Sequence, residues 1–258
     1  MKITVLGCGS SGGTPLVGAT GWGASNPDDP RNRRLRPSIL VEQGATTLLV
    51  DTSPDLREQM IRAGVERVDA ILYTHAHADH VHGIDDIRSF NFHRGGPLDA
   101  WGGAETMATI QRRFDYVFEP YPTERPRFFR PCLTPHVANG PFRIGEIDIV
   151  PFAQQHGRMA SFGYRFGRFA YSTDVHALDE AAFAALEGIE VWIVDCLSET
   201  PHPTHSHLEQ TLDWIRRVGP RQAWLTHLSH NMDYATLAAK CPAGVAPAHD
   251  GLTIEIEP

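Results

Sequence analysis

The stretch His75-Ala-His77-Ala-Asp79-His80 decides how the rest of this sequence is read. Its four metal-ligating side chains directly follow the apolar run Ala70-Ile-Leu-Tyr-Thr74, which reads as a buried strand. His75 and His77 then project from a loop at the strand's C-terminal end, and Asp79 and His80 open a short helix. The donors thus converge on one small volume. Neutral imidazole and carboxylate are ligands that zinc and manganese accept. His-x-His-x-Asp-His arises by chance at on the order of 10⁻⁵ per position, so a coincidence of surface histidines is the weaker reading.

Working outward, strand-like runs occupy residues 2–6, 38–42, 46–50, 146–151, 162–166, 168–172, 190–195, 223–226 and 252–256. They carry β-branched and aromatic residues and are bounded by Gly, Asp or Pro. Three later ligand types each follow such a run: His156, Asp174 and His227. Asp51 closes another. Helical patterns fall between the strands. Ser53 is placed to cap a helix with Pro54 at its first position and Gly64 past its end. Other helices are expected over 104–117, 180–187, 206–218 and 234–240. Residues 18–36 read as a surface loop, and residues 121–139, with four prolines, as irregular. The mixture is α/β, and residues 1–258 are expected to form one domain.

Composition is that of an ordinary globular chain, with 41% hydrophobic and 21% charged residues. The N-terminal apolar run is too short for a signal peptide, and no stretch reaches the roughly 18 apolar residues of a membrane span. A cytoplasmic location with no membrane partner is the expectation. Cys8, Cys132, Cys196 and Cys241 are too scattered for a cysteine metal site or a disulfide framework. The formal net charge of −8 argues against an extended nucleic-acid partner, so an anionic substrate needs local attraction. Bound cations would provide it.

The motif, followed in order by His156, Asp174 and His227, resembles the metallo-β-lactamase superfamily. Nearly the whole chain is similar to the branch that contains the phosphoribosyl 1,2-cyclic phosphate phosphodiesterase (PhnP-like), related to tRNase Z. That likeness rests on Leu6-Gly-Cys-Gly-Ser-Ser-Gly-Gly-Thr-Pro15, Arg33-Arg-Leu-Arg-Pro-Ser38, Val50-Asp51-Thr52 and Leu225-Thr-His-Leu-Ser-His230. The resemblance implies an αββα sandwich with its site along one edge. It implies that His75, His77 and His156 hold one metal, that Asp79, His80 and His227 hold another, and that Asp174 bridges them. Asp51 would support a ligating histidine from behind, fixing its tautomer. The chain departs from this branch at Gly21-Trp-Gly-Ala-Ser-Asn-Pro27, which lacks the cysteines of an additional structural zinc. No structural zinc is therefore expected, and His230 is left either to lie near the substrate pocket or to pack beside the site.

Two divalent metals (Zn or Mn) would lower the pKa of a shared water and steady the oxygens of a phosphoryl centre. The expected reaction is hydrolysis of a small phosphodiester, cyclic or nucleotide-like, by attack of a metal-bridging hydroxide. His205, in Thr204-His-Ser-His207-Leu-Glu-Gln210, is the candidate to protonate the leaving oxygen, with His207 its rival. Asp79 is counted with His205 as catalytic. His207, Ser229, His230 and Asp250 are candidates for the substrate pocket, and Arg36, Arg88 and Arg158 for a phosphate grip. The alternatives are a tRNA 3′-processing endonuclease and a non-catalytic nucleotide-binding protein on the same fold. A homodimer is the default assembly.

Overall fold

The computed structural model describes residues 1–120 and 130–257. Its first half contains β1 (Lys2–Gly7), β2 (Ser38–Gln43), β3 (Thr46–Val50), α1 (Leu56–Ala63), β4 (Ala70–Tyr73) and α2 (Ala78–Val81). After these come α3 (Arg88–Arg94), β5 (Leu98–Gly102), α4 (Ala104–Arg113) and β6 (Leu133–Val137). The second half begins with β7 (Phe142–Ile144), β8 (Ile147–His156), β9 (Met159–Phe166), β10 (Phe169–Ser172), α5 (Glu180–Ala185) and β11 (Val191–Asp195). It ends with α6 (Leu208–Val218), β12 (Gln222–Thr226), α7 (Tyr234–Lys240), β13 (Val245–Pro247) and β14 (Thr253–Glu255).

The strands form two sheets, ordered β14-β1-β2-β3-β4-β5-β6 and β13-β12-β11-β10-β9-β8-β7. Both are built alike. In the first, pairing is antiparallel as far as β3 and parallel from β3 to β6. In the second it is antiparallel from β7 to β10 and parallel from β10 to β13.

Side-chain alternation along the strands gives each sheet two apolar faces. Ile39, Val41, Leu48, Val50 and Leu72 pack against Ile149, Tyr164, Phe166, Tyr171 and Ile193 between the sheets. Leu40, Leu49, Ile71 and Tyr73 point the other way, onto Leu56, Met60, Ile84, Met107 and Ile110 of the helical segments. Ala170, Trp192, Val194 and Leu225 likewise meet Ala182, Trp214, Ile215 and Leu237. Four layers, helix, sheet, sheet, helix, follow. Strands buried on both faces read as continuous apolar runs, which is why Ala70-Ile-Leu-Tyr73 and Val191-Trp-Ile-Val194 were conspicuous.

Several boundaries differ from expectation for identifiable reasons. α1 starts at Leu56, because the Ser53 hydroxyl donates to Gln59 Oε1 and accepts from the Asp55 amide, closing a turn before the helix. Gly64 does end it, at φ 63°. α6 starts at Leu208, since the Ser206 amide and hydroxyl are both taken by Asp195. α4 stops at Arg113 and gives way to a 3-10 turn at Asp115–Val117. β5, β6, β7 and β13 were not expected. β6 lies within the stretch read as irregular, of which residues 121–129 fall outside the described residues. Pro135 is tolerated there because β6 is an edge strand. No helix among the described residues is long and apolar enough to cross a membrane.

Candidate metal centre

Four of the ligand types picked out by the sequence emerge from the ends of strands, and all of these ends lie on one edge of the sandwich. His75 follows β4, His156 ends β8, Asp174 follows β10 and His227 follows β12. Asp79 and His80 sit in the short helix α2. Arg113 Nη1 braces the intervening loop by donating to the Ala76 carbonyl at 2.5 Å. Among the described residues three that are not glycine have positive φ: Asp51 at 64°, Asp174 at 54° and His227 at 58°. All three belong to this edge. Such backbone costs of order 1–3 kcal/mol each and persists only where the surroundings over-determine it.

Among the described residues three groups of donors could each hold a metal ion, two of them around Asp174 and a third made of Asp195, His205 and His227. In the first are His75, His77, His156 and Asp174; in the second, Asp79, His80, Asp174 and His227; within each the donor atoms lie within 4.8 Å of one another. Asp174 belongs to both. Its Oδ1 faces His75 Nε2 and His156 Nε2, each at 3.7 Å. Its Oδ2 faces His80 Nε2 at 3.0 Å and His227 Nε2 at 3.4 Å. One carboxylate thus presents one oxygen to each group.

The surrounding contacts fix which imidazole nitrogen faces inward. His156 Nδ1 lies 2.7 Å from the Thr204 carbonyl, which can only accept, so Nδ1 carries the proton and Nε2 offers its lone pair. His80 Nδ1 donates to Asp51 Oδ2 at 2.7 Å, with the same effect. His80 Nε2 is then buried without a hydrogen-bond partner, although carboxylate oxygens stand around it. In the first group His77 Nδ1 lies 2.9 Å from His75 Nε2 and 3.2 Å from His156 Nε2. Ring nitrogens this close with so few protons among them fit a cation better than they fit one another.

Electrostatics point the same way. Burial, reinforced by the neighbouring His80 charge, holds His75 well below the ordinary histidine range, and burial also lowers His156. These imidazoles are neutral and ready to ligate. Burial would lower His80 too, but the Asp174, Asp79 and Asp51 carboxylates outweigh it and hold His80 well above its ordinary value. At His227 the Asp174 carboxylate likewise overcomes burial and raises the ring to about 9. The second group therefore demands positive charge, which protons supply unless a cation does.

A cleft of about 430 Å³ opens over both groups, lined by Ser11, His77, Asp79, His156, Arg158, Met159, Asp174, Thr204, His205 and His227. A larger groove of about 930 Å³ lies between α1 and α3 and shares none of these residues. The chemistry is in the smaller one. His205 lies in the cleft wall, 9% exposed, with Nε2 3.8 Å from Asp174 Oδ1 and Nδ1 3.4 Å from Asp195 Oδ1. His207 does not line the cleft; it precedes α6, where its carbonyl accepts from the Thr211 amide.

The remaining pocket candidates also lie elsewhere. Ser229 gives its carbonyl to Arg34, and His230 packs on Gly23 and accepts from Ser25. Asp250 sits behind the site, accepting from the Cys8 and Leu35 amides, where burial pushes its carboxyl up to about 7. These three tie the N-terminal loop to the segment after β12. The buried Arg34 helps, donating to the Ser229 and Met232 carbonyls and to Asn32 Oδ1.

Asp195 was missed in the sequence. It is fully buried at the end of β11, and its Oδ1 faces Nδ1 of both His205 and His227, at 3.4 and 3.6 Å. The signal was available, since Asp195 closes an apolar strand just as Asp51 does. Asp51 was read correctly as a neighbour of a site histidine because it falls shortly before the motif; Asp195 has no motif beside it.

A model of the beta-lactamase superfamily domain matches residues 46–228, which span β3 to the loop after β12. The chain belongs to the beta-lactamase superfamily. A solved structure of a new diphosphatase from the PhnP family is 34% identical, with a TM-score of 0.90 over 99% of this chain and 98% of that one. This superfamily member therefore falls within the PhnP family. The octanoyltransferase of Porphyromonas gingivalis is 32% identical over 90% of this chain and 46% of its own length. A ribonuclease Z from Bradyrhizobium is 30% identical over 57% of this chain and 48% of its length. The chain thus spans under half the length of either curated relative.

Proposed function

We propose that this chain is a dinuclear metallohydrolase that cleaves a small phosphodiester, cyclic or nucleotide-like. The observation that carries this reading is the division of Asp174, one oxygen to each of two donor groups. His75, His77 and His156 would hold one ion and Asp79, His80 and His227 the other, with Asp174 between them. Zinc and manganese both accept this histidine and carboxylate set. When bound, two such ions supply an activated water and stabilise charge on phosphoryl oxygens.

The chain's own residues do the rest. Asp51 accepts from the outward Nδ1–H of His80, so that the inward nitrogen is the one left bare when the ring is neutral, and the Thr204 carbonyl does the same for His156. His205 Nε2 faces the cleft and is placed to protonate the leaving oxygen, while Asp195 holds the ring from its other nitrogen. Asp79 stands on the cleft floor among the ligands.

Ribonuclease Z relatives favour a second reading, a tRNA endonuclease. The net charge of −8 and the lack of a long basic arm among the described residues count against it. Octanoyl transfer, the activity in another relative's name, belongs to a protein of which this chain spans 46%, and a thiol to carry an acyl group is lacking at the cleft. No cysteine lines the cleft, and burial pushes Cys8, Cys132, Cys196 and Cys241 upward in pKa.

The test is turnover by purified, metal-loaded protein on bis(p-nitrophenyl) phosphate, a 2′,3′-cyclic nucleotide, a dinucleoside diphosphate, precursor tRNA and a thioester. We expect chelator-sensitive hydrolysis of the small phosphoesters. Turnover confined to tRNA would favour the second reading, and none on any phosphoester would refute both.

A further inference from the structure

The cleft over the two donor groups is rich in imidazole and carboxylate, and only one of its lining residues is an arginine or lysine. That residue is Arg158. The sequence offered Arg36, Arg88 and Arg158 as phosphate grips, and the fold separates them. Arg36 Nε is paired with Asp55 at 3.1 Å and Arg88 Nη1 with Asp85 at 3.3 Å, and neither lines the cleft. The Arg158 side chain is exposed and makes no hydrogen bond or ion pair with any described residue. Its charge is uncommitted among the described residues.

The backbone beneath it is fixed. Gly157 and Arg158 form the two-residue turn between paired His156 and Met159. Gly157 is at φ 61°, and a Cβ there would stand 2.7 Å from Thr204 Cγ2, so the turn lies directly on the residue preceding His205. His156, one position before the turn, is anchored to the same residue through its Nδ1 contact with the Thr204 carbonyl. A long cationic side chain thus rises from a clamped turn at the rim of the site. The cleft, at about 430 Å³, is in the size range of pockets for whole small molecules rather than a lone phosphate. On a chain of net charge −8, such a guanidinium is a local exception to a field that repels anions.

We propose that Arg158 is a specificity-determining residue that binds a second anionic group of the substrate, a terminal phosphate, at the cleft rim while the phosphoester to be cleaved lies by Asp174. This rests on the reading of the cleft as a phosphoester site. A guanidinium matches a phosphate with two parallel N–H···O bonds, which lysine cannot reproduce.

Equilibrium binding tests the proposal without requiring turnover. Calorimetry on metal-loaded protein would compare adenosine 3′,5′-bisphosphate with adenosine 3′-phosphate, which differ by one terminal phosphate. Wild type should prefer the bisphosphate by about tenfold or more, the usual scale for one charge-assisted contact. In Arg158→Ala that preference should vanish, and in Arg158→Lys it should be partly kept. In parallel, KM for adenosine 2′,3′-cyclic phosphate carrying a 5′-phosphate should rise more in Arg158→Ala than KM for the form without it. A preference that survives in Arg158→Ala, or is absent from the wild type, overturns the proposal. Binding preference that depends on Arg158 together with no turnover on either cyclic phosphate would support it while refuting the hydrolase reading.

Discussion

Asp51→Asn should weaken one of the two proposed metal sites and spare the other. Asp51 is fully buried and has a distinct partner for each oxygen. Oδ1 accepts from the Thr74 amide at 2.8 Å, and Oδ2 accepts from the Thr74 hydroxyl at 2.8 Å and from His80 Nδ1 at 2.7 Å. Asparagine tolerates the left-handed backbone at φ 64°, so the main chain can stay in place. Its amide orientation is then dictated, because only an oxygen can face the Thr74 N–H. The NH₂ must take the Oδ2 position and donate to His80 Nδ1. That forces the His80 proton onto Nε2, the nitrogen that faces Asp79 and Asp174.

The ion held by Asp79, His80, Asp174 and His227 should therefore bind about 10 to 100 times more weakly, the usual effect of altering a ligand's supporting carboxylate. That corresponds to about 1.4 to 2.8 kcal/mol. The ion proposed for His75, His77 and His156 should be affected less, since none of these residues touches Asp51 directly and His75 is linked to it through the Thr74 hydroxyl, 3.1 Å from His75 Nδ1. Metal content by mass spectrometry, with a chelator competition titration, should show one site weakened and one retained. Equal weakening of both sites, or wild-type affinity at both, would refute the tautomer reasoning. Asp51→Ala is a poorer probe. It leaves a buried Thr74 N–H unpaired, at about 1–3 kcal/mol, and misfolding would mask the result.

Other outcomes follow from the same geometry. His205→Ala should cut turnover by roughly 10²- to 10⁴-fold while keeping the metal content, whereas His207→Ala, outside the cleft, should change turnover less than threefold; equal losses would return His207 to the mechanism. Metal binding near pH 7 should release protons, measurable by calorimetry in buffers of different ionisation enthalpy, because His227 is raised to about 9 and His80 lies above its ordinary value. The sign follows from linkage: in metal-free protein the histidinium contacts stabilise the fold fully below pH 6.5 and are lost as pH rises toward about 9, while metal affinity climbs over the same window. No proton release would mean that these rings are neutral. Gly83→Ala should lower stability by about 1–3 kcal/mol, since a Cβ there falls 1.9 Å from the Ser53 carbonyl oxygen, and an unchanged melting temperature would contradict that packing.

Much of the site was legible because its ligands come in a local cluster or directly after apolar strands. Strand-end position is a one-dimensional signal, and it found His156, Asp174, His227 and Asp51 alongside the motif. The edge strands were harder. β6 carries Pro135, and β5 carries Asp99 and Gly102, so both depend on a neighbour for their pairing rather than on local propensity. The pocket was read least well. Ser229, His230 and Asp250 follow the His227 strand closely, yet the chain turns behind the site there, held by Arg34 and the N-terminal loop.

By itself the sequence determined the chemistry on offer: which residue types sit at strand ends and in what order, and so the resemblance that implies the two-sheet architecture and the candidate metal-ligating set. The tertiary structure alone decided how these residues face one another. It divided the oxygens of Asp174 between two groups, set His205 rather than His207 against the cleft, and brought Asp195 up behind two histidines. It also set Arg158 at the rim, unpaired among the described residues. Each of these depends on distances between segments far apart in the chain, which no local pattern of side chains encodes.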